Sequence, residues 1–155
     1  MAIAYTLFEH VFQNMSHCIY AEQVFCSLTT EMKYLPAFKD NPHLQALHKE
    51  NYETSYHQNT AAGNLQRLMV GAKTREQEKV LVVVAARCML EAKKHQAKAD
   101  EALKTISVPQ EHVAWLDASR HWQHMRHRWL KLAMKDLRSA VPPKWWSEAE
   151  AMNLS

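Results

Sequence analysis

Glycine is nearly missing from this 155-residue chain. Two occur, Gly63 and Gly71, beside five prolines and three cysteines. So little glycine excludes a glycine-rich phosphate loop, a dinucleotide-binding fingerprint and most turn-dense β architectures, which need backbone that glycine alone adopts freely. Cys18, Cys26 and Cys88 are an odd set without the paired spacing of a zinc ribbon or a disulfide framework. The segment from Met1 to His10 lacks the basic and long apolar stretches of a secretory leader, so free thiols in a cytoplasmic protein are expected. Long hydrophobic runs are lacking too. The longest, Val80 to Ala86, stops at Arg87, far short of the ~20 residues that span a bilayer, and no membrane contact is expected.

Histidine and tryptophan, by contrast, are abundant, at ten and five. Net charge is +3, unevenly placed: residues 1–60 carry three Lys/Arg against six Asp/Glu, and residues 61–155 carry sixteen against ten. Such a polarised chain points toward an anionic partner.

Prolines and the glycine at 71 cut the chain into four stretches of about thirty residues, near 3–34, 41–70, 74–106 and 108–139. Phe8, Val11, Met15, Cys18, Phe25 and Met32 recur at helical spacing in the first. Leu81, Val84, Cys88, Ala92, Ala99, Ala102 and Ile106 do so in the third. In the fourth, Trp115, Ala118, Trp122, Met125, Trp129 and Leu132 keep a 3-4 heptad step and are expected to form its core seam. Start signals accompany three of the stretches: Asp40 before Pro42, Thr74 with Gln77, and Ser107 with Gln110. The expected fold is all-α: an up-down four-helix bundle of long antiparallel helices over residues 1–141. A Pro-Pro-led tail, 142–155, follows with a short helix from about Trp145 to Met152.

Arg120, His124, His127, Lys131, Lys135 and Arg138 follow one another at steps of three and four, which stacks them on one face of the fourth helix, flanked by Arg126 and Arg128. From Ala118 to Arg138 Asp136 is the single acid. Solvation alone explains many charged faces, yet a sustained cationic stripe on a rigid rod also suits successive phosphates. These eight residues are the candidate nucleic-acid contacts. Trp145 and Trp146 leave the bundle after Pro142-Pro143-Lys144; they either close its end or anchor a protein partner. The second stretch is polar in its middle, at His48, Asn51, Tyr52, Ser55, Tyr56, Gln58 and Asn59. That marks it as peripheral or as a docking helix, with Tyr52 and Tyr56 as partner contacts.

Histidines in a helical bundle invite comparison with dinuclear carboxylate centres, whose metal ligands include Glu-x-x-His pairs. Here Glu53 with His57 and Glu91 with His95 are both Glu-x-x-x-His, an ordinary surface spacing, and the fourth helix has no matching Glu. No metal or other cofactor is therefore expected; Glu22, Glu53, His57, Glu91 and His95 are the residues that a metal-binding bundle enzyme would use. Glu22 and His95 both fall on apolar stripes, where a mutual hydrogen bond or access to water would satisfy them. Neighbouring Ser-His pairs point roughly 100° apart on a helix and form no triad. An Arg120–His127 ribonuclease pair is too permissive a pattern to carry weight. The sequence thus points away from an enzyme and toward an accessory subunit that holds nucleic-acid backbone, alone or within a larger nucleoprotein complex. A protein-interaction module, an adaptor or an inhibitor, is the alternative.

Overall fold

The computed structural model describes residues 2–152, with side chains from Leu7 onward except Ala37; residues 153–155 of the expected tail lie outside it. Helix α1 runs Ala2–Lys33, α2 Pro42–Gly71, α3 Arg75–Thr105, α4 Val113–Ala140 and α5 Pro143–Ala151. The four long helices pack antiparallel, α2 closely on α3 and α1 closely on α4, with α1 also against α2. Helices α3 and α4 touch far less, and α5 turns back onto α3.

Helix boundaries follow local chemistry. Thr74 and Gln77 form a true capping box at the start of α3. At α2 the cap is Asn41, one residue later than the expected Asp40; its Oδ1 accepts from the amides of His43 and Leu44. Ser107 caps nothing. Ile106 is buried and Val108 packs beside it on the same core cluster, so the chain is stretched across the bundle end. Helix α4 then begins at Val113 after a 3-10 turn at Gln110–His112.

The core is two apolar clusters separated by a polar belt. One cluster holds Phe8, Val11, Met15, Cys18, Leu65, Met89, Leu130 and Leu137 among others. The second holds Phe25, Met32, Phe38, Leu44, Leu47, Leu103 and Leu116. Between them every long helix turns a polar residue inward: Glu22 from α1, Asn51, Thr54 and Gln58 from α2, Gln96 from α3, Ser119 and Arg126 from α4, all buried. This belt corrects the reading of α2 as a helix without a face. Its buried positions Leu44, Leu47, Asn51, Thr54, Gln58, Ala61, Leu65 and Leu68 keep an unbroken 3-4 step, and the polar members simply sit where the belt crosses.

The tryptophan stripe of α4 is likewise displaced from the seam. The buried line is Leu116, Ser119, Arg126, Leu130, Ala133 and Leu137, while Trp115, Trp122 and Trp129 are half-buried on its α1 flank. The Trp115 indole donates to the Leu28 carbonyl at 2.6 Å, Trp122 meets the Tyr20 ring edge-on and Trp129 stacks on His17 at 4.6 Å. Large amphipathic rings fit that flank, where one edge packs and the other reaches solvent.

Candidate functional site

Of the eight cationic candidates, Arg120, His124, Arg128, Lys131, Lys135 and Arg138 are exposed and His127 is half-buried. Arg126 is the exception and drops out of the face, because it is fully buried. Six residues beyond Arg120, it lies roughly 120° from that residue and points inward. Its Nη1 donates to Glu22 Oε2 at 2.6 Å and to Asn51 Oδ1 at 3.0 Å, and its guanidinium lies over the Phe25 ring at 4.1 Å. Glu22 Oε1 also accepts from the Cys26 thiol and the Ser55 hydroxyl. Glu22 and His95 therefore do not meet; Glu22 is hydrogen-bonded to Arg126 and His95 to Glu50.

The weak contact between α3 and α4 opens a groove of about 570 Å³, lined by Lys93, His127, Leu130, Lys131, Met134, Lys135, Arg138, Ser139 and Trp146. Four Lys/Arg side chains and a histidine converge there, with no carboxylate among the lining residues. Concave walls of one charge sign concentrate potential and attract counter-charged ligands. Lys93 was not among the sequence candidates, because a residue on a different helix leaves no trace in the α4 pattern.

Trp145 and Trp146 are 8% and 5% exposed, which removes them as partner anchors and makes them the plug of the bundle end. Arg75 covers Trp145 at 4.4 Å and Arg138 approaches the Trp146 ring at 5.6 Å. Arg87 Nη1 donates to the carbonyls of Ala149 and Glu150, and Lys79 pairs with Glu148 at 3.2 Å, so α5 is tied to α3 at several points. Tyr52 and Tyr56, 72% and 58% exposed, do face outward on α2.

Among the metal candidates, Glu53, His57 and His95 come together, their donor atoms all within 4.8 Å of one another. Glu22 belongs to Arg126, and Glu91 binds Arg87. Burial, and next the neighbouring His95, hold the His57 imidazole below its ordinary range.

The thiols offer no nucleophile. Burial raises all three: Cys18 furthest, Cys26 to about 12 and Cys88 to about 11, with Glu22 adding to the shift at Cys18 and Cys26. At pH 8 Cys26 is then almost wholly in the thiol form. Ellman's reagent should release almost no colour from the native protein within minutes and three equivalents in guanidinium; one rapid native equivalent would contradict this burial.

No family model matches the chain, and neither a curated protein nor a solved structure matches it. The geometry of the groove and its surroundings alone carries a functional reading.

Proposed function

We propose that this protein is a non-enzymatic helical-bundle accessory subunit that holds nucleic-acid backbone, without base readout, along the exposed face of α4 and in the groove beside it. One observation carries the reading: Lys93, Lys131, Lys135 and Arg138 converge on one concavity that no acid lines. Mutual repulsion makes such convergence costly in the free protein, and a polyanion relieves it. Lys131 and Arg138 stand about 10 Å apart along the helix axis, close to the rise of three nucleotides in one duplex strand. The revised contact set is Arg120, His124, His127, Arg128, Lys131, Lys135 and Arg138 with Lys93 added and Arg126 removed. Outward-facing Tyr52 and Tyr56 favour a protein contact as a second reading. The two are compatible in a nucleoprotein complex.

Binding of duplex and single-stranded DNA and RNA, titrated at several salt concentrations, tests the proposal. If all six Lys/Arg of the set engage phosphates of a duplex, the log–log salt slope should be about −5. Lys131→Ala with Lys135→Ala should weaken binding to every sequence alike and flatten that slope by about 2. No binding at low salt, or a slope unmoved by the pair, would sink the reading.

A further inference from the structure

Where α2 packs on α3, beside the belt residues Gln58 and Gln96, the facing side chains hold a different chemistry. Glu53 and His57 are one turn apart on α2 and share a face, with His57 Nε2 3.9 Å from Glu53 Oε2. From α3, His95 lays its ring nearly parallel to that of His57, 5.6 Å away at an interplanar angle of 11°. Glu50, a turn before Glu53, takes His95 Nδ1 at 2.5 Å. That contact fixes the ring and its tautomer, leaving Nε2 as the nitrogen free to ligate. His57 Nδ1 is buried without a hydrogen-bond partner among the described residues. Two stacked imidazoles and a carboxylate thus bring three donor atoms within 4.8 Å of one another.

We propose that Glu53, His57 and His95 bind one zinc-class divalent transition-metal ion between α2 and α3, with Glu50 as the residue that positions His95. Two imidazoles and one carboxylate are the borderline donor set that such an ion prefers over magnesium or calcium, which take oxygen. Three protein ligands leave a fourth position to water, and the partly exposed Glu53 side chain keeps the site open to solvent. Tetrahedral ligation at about 2.0–2.1 Å needs donor atoms roughly 3.3 Å apart, so donors that now lie within 4.8 Å of one another must draw together on binding. Glu50 and Glu53 each lie against one of the two rings, and the ion-paired Glu91 and Arg87 are close enough to His57 to act on it with opposite sign. The two carboxylates that pair with no Lys or Arg among the described residues therefore favour a dication. The Glu50–His95 contact is the carboxylate–histidine arrangement that raises ligand basicity and sets ring orientation at metal centres.

The test is calorimetric titration of the chelator-treated full chain with zinc chloride, alongside cobalt(II) titration followed by visible absorption. One saturable equivalent is expected, with a cobalt spectrum typical of tetrahedral nitrogen and oxygen ligation and a melting temperature that rises with zinc. Glu53→Gln, His57→Gln and His95→Gln should each weaken binding at least about 100-fold, and Glu50→Gln about 10–100-fold. With ten histidines in the chain, His121→Gln with His124→Gln is the control and should leave the equivalent intact. Glu53 is the most exposed ligand and its variant the safest for folding; circular dichroism of each variant separates lost binding from lost structure. Absence of a saturable equivalent overturns the site. So does an equivalent that survives Glu53→Gln or His57→Gln, or that disappears with the control pair.

Discussion

Arg126→Ala should cost about 3–5 kcal/mol of folding stability, the largest loss expected from any single charge removal in this protein. The pair it breaks is fully enclosed: the side chains of Arg126 and Glu22 are 0% and 3% exposed. Removing the guanidinium strands a carboxylate between two apolar clusters, and Asn51 Oδ1 loses its donor as well. For a chain of this size the midpoint of thermal unfolding should fall by on the order of 10 °C. The cost comes from the orphaned partner rather than from the attraction itself. Glu22→Leu combined with Arg126→Met should therefore recover most of it, since matched apolar replacement of a buried pair is often neutral. Urea unfolding of the two variants beside the unaltered chain reads both statements. A loss below about 1 kcal/mol for Arg126→Ala would mean that water reaches the pair. Salt adds a second contrast: the enclosed pair should be nearly indifferent to ionic strength, whereas any polyanion binding by the exposed α4 face should collapse with it.

The same residue shows where sequence reading reached its limit. The four helices, their breakers and the seam of α1 were legible because proline, glycine and an apolar 3-4 step are local signals. Phe8, Val11, Met15, Cys18, Phe25 and Met32 are all buried as expected. Periodicity also held the clue to Arg126, which falls well off the line of Arg120, Lys131 and Arg138, yet an arginine amid cations reads as solvent-facing unless its buried partner is known. That partner, Glu22, is 104 positions away in sequence. The belt misled the reading of α2 by the same route: Asn51 and Gln58 look like a wet face until three other helices supply polar groups at the same level. Trp115, Trp122 and Trp129 formed the cleaner heptad and drew the seam toward themselves, since one helix cannot reveal that its true seam contains Ser119 and Arg126. Lys93 and Glu50 were invisible for the simplest reason. Each acts across a helix–helix gap, and only the packing of α3 against α4, or of α2 against α3, gives it a role.

Trp146→Ala should cost about 3–5 kcal/mol, as expected for emptying a buried indole-sized volume, and Trp146→Phe distinctly less. The ring is enclosed in the same apolar cluster as Leu130 and Leu137, forms part of the groove lining and lies near the Arg138 guanidinium. Its loss should loosen α5, leaving the Arg87 donations to Ala149 and Glu150 and the Lys79–Glu148 pair as partly exposed ties. Urea unfolding measures the cost, and an unchanged midpoint would show that the indole is not packed. The variant also discriminates between two ways of holding a nucleic acid. If Lys93, Lys131, Lys135 and Arg138 grip phosphates, Trp146→Ala should change affinity less than about threefold at fixed salt and leave the salt slope alone, because the cations remain. If the indole instead offered a stacking platform, its removal should cost about 1–3 kcal/mol of binding and little stability. Burial of Trp146 favours the first outcome: a ring already packed on the bundle has no free face for a base, so it shapes the groove while the lysines and Arg138 supply the attraction.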